Sequence, residues 1–158
     1  MCTLIVRQGM DEWCATVVAA NRDEFYERPA SGPQVLSEAP HVVGGRDERA
    51  GGTWLGFSND GLFVGLTNQR TFQPPNPRAR SRGELVIDAL RTGHYDGVKE
   101  YLGGLDPREF NEFNLIYGDG TRLSGVAPIA DGLSDYGPGD RYHLVRGRPA
   151  MGRHIGTR

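Results

Sequence analysis

Two short apolar runs at the start of the chain, and the four polar residues after the second, restrict the fold more than any other feature. Cys2-Thr3-Leu4-Ile5-Val6 is apolar and rich in β-branched residues, the composition of a strand. Gly9-Met10-Asp11-Glu12 supplies a turn, and Trp13 to Ala20 reads as a second strand running back. Asn21-Arg22-Asp23-Glu24 cannot continue a buried strand without leaving polar groups unpaired. The hairpin therefore delivers these four residues to a sheet end, beside the start of the chain.

That juxtaposition has chemical content. Loss of Met1, which a small second residue permits, leaves Cys2 with a free α-amine. An α-amine titrates near ~7.7–8.0 and a thiol near ~8.5, so one residue then carries both nucleophile and base. Activation of a side-chain nucleophile by an N-terminal amine needs no histidine. Asp23 would orient the amine, and the charge of Arg22 would favour the thiolate. By position alone, the plainer reading of Cys2 as a small apolar residue on an edge strand carries more weight.

A chain of 158 residues can bury one sizeable core, and 23 Gly with 10 Pro imply many turns, short strands and little long helix. The net charge of −2 gives no general case for nucleic acid or an anionic membrane as partner. Cys2 and Cys14 are too few for a disulfide framework; they would face each other across the hairpin, but a reduced, intracellular chain is the favoured alternative. With no apolar run of about 18 residues and no signal-peptide segment, no membrane insertion and a cytoplasmic location are expected.

Further along, Phe25 to Pro33 reads as a loop, with an extended step at Arg28-Pro29. Pro40 to Val43 is a short strand running into a charged turn broken by Gly44 and Gly45. Gly51 to Phe57 and Leu62 to Asn68 flank Ser58-Asn59-Asp60-Gly61, a strong hairpin signal. Trp54 reads as a core aromatic ahead of a ligand platform. Gln69 to Arg82, with Arg70, Arg78, Arg80 and Arg82, reads as a solvated, mobile loop ahead of an anion site. Ser81-Arg82-Gly83-Glu84 has capping-box spacing and opens a helix over Leu85–Leu90 that stops near Gly93. A second helix is expected over Asp96–Leu102, and Asp106-Pro107 starts a third turn. Phe113–Tyr117 and Thr121–Ser124 form another hairpin. Strands, then helices, then strands predict an α+β domain with antiparallel sheets.

From Gly125 the pattern weakens, and Arg141–Arg158, with five arginines, two histidines and no acid, reads as a poorly ordered terminus ahead of a phosphate-binding tail. There is no phosphate-binding Gly-Lys-Ser/Thr loop and no Gly-x-Ser-x-Gly elbow. His41, His94, His143 and His154 lack zinc spacing and read as surface or loop residues. No metal and no cofactor are expected.

Met1-Cys2-Thr3-Leu4, Asn21-Arg22-Asp23-Glu24, Gly51-Gly52-Thr53-Trp54-Leu55-Gly56, Thr67-Asn68-Gln69-Arg70, Ser81-Arg82-Gly83 and Phe113-Asn114-Leu115-Ile116-Tyr117-Gly118-Asp119 together resemble the NRDE family, the transport and Golgi organisation family. The resemblance covers roughly residues 1–124 of a single domain 1–158, leaving 125–158 as a divergent tail. The family in turn looks like a relative of the cysteine-type N-terminal nucleophile hydrolases, which include penicillin V acylase and bile salt hydrolase. That likeness implies an αββα sandwich of antiparallel sheets, incomplete at its C-terminal end here.

Carried onto this sequence, the resemblance makes Cys2 the nucleophile, Asp23 its hydrogen-bonding aspartate and Asn68 the oxyanion-hole amide. Arg22 joins them as a candidate, while Asn21, Trp54 and Arg70 are the candidate substrate-binding residues. Two positions depart from the acylases: Ala20 stands where they carry an arginine, and Leu133-Ser134-Asp135 replaces a Leu-Ser-Asn step. The implied activity is hydrolysis of a non-peptide C–N amide bond in a small molecule. The alternative, implied by the eukaryotic family members, is a carrier of haem or lipid without turnover. Pairing of an exposed edge strand predicts a homodimer.

Overall fold

The computed structural model describes residues 3–8, 16–69, 71, 74–129, 132–136 and 142–146. Its strands are β1 (Thr3–Gln8), β2 (Thr16–Asn21), β3 (Ala30–Glu38), β4 (His41–Asp47), β5 (Leu55–Ser58), β6 (Phe63–Asn68), β7 (Phe113–Gly118), β8 (Leu123–Ile129), β9 (Gly132–Tyr136) and β10 (Tyr142–Arg146). The helices are α1 (Arg82–Arg91) and α2 (Tyr95–Gly103), followed by a 3₁₀ turn at Pro107–Glu109. The strands form two antiparallel sheets, one ordered β10-β1-β2 and one of seven strands in sequence order from β3 to β9.

The alternation of side chains along β6 and β7 builds the layers. Val64, Leu66, Phe113, Leu115 and Tyr117 pack beneath Leu85, Val86, Ala89 and Leu90 of α1 and Val98 and Leu102 of α2. On the opposite face Phe63 and Ile116, joined by Leu123 of β8, meet Leu4 and Val6 of β1. The contact between sheets is close at Gly65, where a Cβ would lie 2.7 Å from a Leu4 methyl. Among the described residues the layers are therefore helices, large sheet, small sheet. On the outer face of the small sheet, Ile5 and Val17 are 45% and 40% exposed.

The helix ends follow from local chemistry. The Ser81 hydroxyl accepts from the Gly83 amide at the start of α1, and Gly93, at φ +79°, ends it. His94 caps α2 by accepting the Gly97 N–H on its Nδ1 at 2.9 Å. Asp106 caps the 3₁₀ turn, with Pro107 in its first position.

Several expectations change on contact with the fold. The loop expected over Phe25–Pro33 gives way to strand from Ala30 onward, because β3 is an edge strand and its register shifts between Ser31 and Gln34. An edge tolerates Pro33, which has no amide to donate. The Gly44-Gly45 turn is instead strand, with Gly44 packed so tightly that a Cβ would sit 2.6 Å from the Leu55 carbonyl oxygen. The strand expected from Gly51 starts only at Leu55. Part of the tail expected to be poorly ordered, Tyr142–Arg146, pairs with β1, placing Thr3 opposite Arg146. The turn at Gly9–Glu12, Cys14 and residues 147–158 lie outside the described residues. No helix among the described residues is long and apolar enough to cross a membrane.

The β7–β8 turn carries a testable electrostatic device. Burial pushes the Asp119 carboxyl up, but hydrogen bonds from Arg122 and Thr121 outweigh it and hold the pKa at about 2, below the ordinary 3.8. A lowered carboxylate pKa stabilises the fold above the unfolded value and loses that contribution as pH falls through the folded one. Asp119→Asn is expected to lower stability by at most about 2 kcal/mol near neutral pH. Melting curves of the two proteins should converge as the pH drops from about 4 towards 2.

Candidate functional site

One end of the sandwich gathers the start of β1, the ends of β2, β4 and β6, the start of β5 and the first turn of α1. Thr3, the residue after Cys2, stands opposite Asn21 in the register of the first hairpin. Asn21 is thus the last strand residue, and the polar segment turns away from the sheet directly beside the start of β1. Cys2 itself and Arg70 lie outside the described residues.

The Asn21–Arg28 segment is closed by its own polar groups. Asn21 donates from Nδ2 to Asp23 Oδ1 at 2.6 Å. Glu24 accepts from the Phe25 amide and pairs with Arg28 at 3.3 Å. Arg28 reaches across to β4, donating through Nε to Asp47 at 2.8 Å. Burial pushes the Asp47 carboxyl up, yet the Arg28 guanidinium and the Ala50 and Arg49 amides hold it below its ordinary value. The loop tip leaves Phe25 and Tyr26 in solvent, 79% and 103% exposed.

Trp54 is half-buried and stands outside both core clusters. The expectation of a core aromatic is therefore corrected: its ring lies against Gly45, where a Cβ would come within 2.6 Å, and carries the Arg22 guanidinium 5.1 Å from a ring centroid. The Trp54 carbonyl accepts the Leu66 amide, which ties the ring's backbone to β6.

The Gly-Gly-Thr-Trp and Ser-Arg-Gly stretches meet in space, which accounts for their occurring in one chain. A Cβ on Gly52 would fall 2.3 Å from the Gly83 carbonyl carbon, and Thr53 donates its amide to the Gly83 oxygen at 3.2 Å. Backbone lies on backbone, and the first turn of α1 is thereby fixed to the loop that carries Trp54.

Asn68 ends β6 opposite Phe113 and is exposed. Its neighbour Thr67 is buried and accepts a hydrogen bond from Asn114 Nδ2 at 3.2 Å, a polar pair inside the sandwich. Sequence reasoning missed Asn114, Arg28 and Asp47. The one available signal was an amide placed in an otherwise apolar run, Phe113-Asn114-Leu115-Ile116. The arginine loop expected to be solvated and mobile is tied down at its described residues: Arg80 pairs with Glu109 and Asp88, Arg82 donates to the Glu112 carbonyl, and Asn76 bonds Asn111.

A cavity of about 800 Å³ lies elsewhere, on the helical layer between Arg80, Asp88, His94, Glu100, Tyr101 and Glu109. Burial, with the Asp88 carboxylate second, pushes the Tyr101 phenol up to about 12, so it stays protonated. Among the described residues no cluster of three or more His, Cys, Asp or Glu is arranged to hold a metal ion.

Comparison with known proteins places this geometry. The chain is similar to the Transport and Golgi organization protein 2 homolog of Bos taurus, 42% identical over 109 residues, covering 65% of this chain and 38% of that protein. The Mus musculus homolog is 40% identical over 115 residues, covering 69% and 40%. The Drosophila melanogaster protein is 31% identical over 155 residues, covering 84% and 52%. The chain thus spans between two fifths and about half of the length of these relatives. Among solved structures, a mutant conjugated bile acid hydrolase from Clostridium perfringens superposes with a TM-score of 0.63 at 11% identity, covering 90% of this chain and 52% of that one. That likeness shows the fold alone, an N-terminal-nucleophile-hydrolase-like sandwich of antiparallel sheets. The family model described as Transport and Golgi organisation 2 matches residues 1–133, and the chain belongs to that family.

Proposed function

We propose that the chain carries the site of a cysteine N-terminal nucleophile amidohydrolase acting on a non-peptide C–N amide of a small molecule. The observation that supports this most is the register of β1 and β2. Thr3, the first described residue of β1, faces Asn21, so the start of β1 and the Asn21–Asp23 segment share one sheet end. In this reading Cys2 attacks the amide carbon and its α-amine takes the thiol proton. The amine then returns that proton to the leaving nitrogen, and water releases the acyl group from sulfur. Asp23, oriented by Asn21, orients the amine, and Asn68 supplies a hydrogen bond to the developing oxyanion. Asn21, Trp54 and Arg70 would contact the substrate. We assign the chemistry to a reducing, cytoplasmic setting, in which Cys2 remains a thiol.

Asn68→Ala tests the assignment. Losing one oxyanion donor is expected to lower kcat on a small amide by roughly 10²–10³-fold with little change in KM. An unchanged kcat would remove Asn68 from the mechanism.

A second reading, carriage of haem or lipid without turnover, draws support from Phe25 and Tyr26, two large side chains held in solvent beside the site. It requires stoichiometric binding by a protein that turns over no amide, and that binding should weaken when both aromatics are replaced by serine.

A further inference from the structure

Three described arginines sit over aromatic rings, and they differ in one respect. Arg80 lies 5.0 Å from the Phe110 ring centroid and is neutralised by Glu109 and Asp88. Arg122 lies 4.1 Å from the Tyr95 centroid and is neutralised by Asp119 and Asp96. Arg22 lies on Trp54, and among the described residues no carboxylate stands within ion-pair distance of it.

The omission is local and specific. Asp23 and Glu24 are the next two residues, yet Asp23 accepts from Asn21 and Glu24 is engaged by Arg28. Among the described residues, the polar contacts of the Arg22 guanidinium are two long ones, 3.5 Å from each terminal nitrogen to the Arg28 carbonyl. A half-buried guanidinium whose donors outnumber its acceptors carries an electrostatic cost that a carboxylate relieves through two parallel hydrogen bonds. The guanidinium lies over the Trp54 ring, which is itself backed by Gly45, and its two terminal nitrogens converge on the Arg28 carbonyl at a range that a carboxylate would improve upon by displacing it.

We propose that Arg22 on Trp54 is the receptor for a carboxylate group of the ligand, in place of the thiolate-favouring role expected from sequence. The inference goes beyond the proposed hydrolase reading, because it holds whether the ligand is cleaved or only carried. It makes Arg22 and Trp54 determinants of ligand class: acids should be accepted and their neutral isosteres rejected.

The test uses benzoate and benzamide, planar isosteres that differ in charge, titrated at constant ionic strength into the full chain carrying Cys2→Ala. Because that protein lacks the Cys2 thiol, failure of the hydrolase reading leaves the result unaffected. The readouts are the NMR signals of Arg22 Nε–H and the Trp54 indole N–H. The expected result is saturable displacement of both by benzoate, with benzamide weaker by roughly tenfold or more. Arg22→Gln should abolish the preference, and Arg22→Lys, which keeps the charge but loses the fork, should retain part of it. Equal response to the two probes, no response of Arg22 to either, or an unchanged preference in Arg22→Gln would each overturn the proposal. Should Arg22→Gln fail to fold, the wild-type residue's own titration and Arg22→Lys still decide.

Discussion

Cys2→Ala is expected to abolish amide turnover, by a factor on the order of 10⁶ where a full catalytic background exists to be lost. The loss should fall on kcat, with substrate binding retained, because alanine removes the attacking sulfur and leaves Asn21, Asp23 and Asn68 in place. Cys2→Ser should recover little: a hydroxyl is far less acidic than a thiol, and the α-amine is matched to the latter. The outcome also separates the two functional readings. A carrier should keep its ligand in Cys2→Ala and show no turnover in either protein.

Gly52→Ala is expected to be the most damaging single substitution for stability among the described glycines outside turns. Its new methyl would lie 2.3 Å from the Gly83 carbonyl carbon and 2.5 Å from the Gly83 Cα, atoms of backbone that cannot rotate aside. Either α1 or the Gly51–Trp54 loop must move, at a cost of about 3 kcal/mol or more. For a domain of this size that is a fall in melting temperature of roughly 6–12 °C. Gly103→Ala is the matched control, since nothing lies within 4 Å of its added methyl; it should leave stability within about 0.5 kcal/mol or raise it slightly. Because Gly83 lies in the first turn of the helix and Trp54 carries Arg22, Gly52→Ala should also weaken ligand binding at temperatures where the protein remains folded.

What could be read from the sequence was what local chemistry decides. The first hairpin, the Ser81 cap, the Asp106-Pro107 turn and the turn ending in Gly61, at φ +80°, each rest on residues a few positions apart. β3 was not legible past its glycine and proline, since nothing in Ala30–Gln34 says that the strand is an edge and can bulge. β10 was illegible for a related reason: its strand character comes from pairing with β1 at the other end of the chain. The site divides in the same way. Asn21, Arg22, Asp23 and Asn68 stand in short motifs, so they could be named. Arg28 and Asp47 looked like ordinary solvated charges within charged stretches, and only the fold brings them to 2.8 Å and joins the Asn21–Arg28 loop to β4. The size of Trp54 points to the core, whereas its ring is a seat for Arg22.

The intact mass of the purified protein, before and after brief exposure to a thiol-reactive probe, tests the central claim most directly. An assembled N-terminal nucleophile predicts complete loss of Met1 and rapid, single labelling that maps to Cys2. Retention of Met1 would acylate the amine that must act as base, and the hydrolase account would be contradicted.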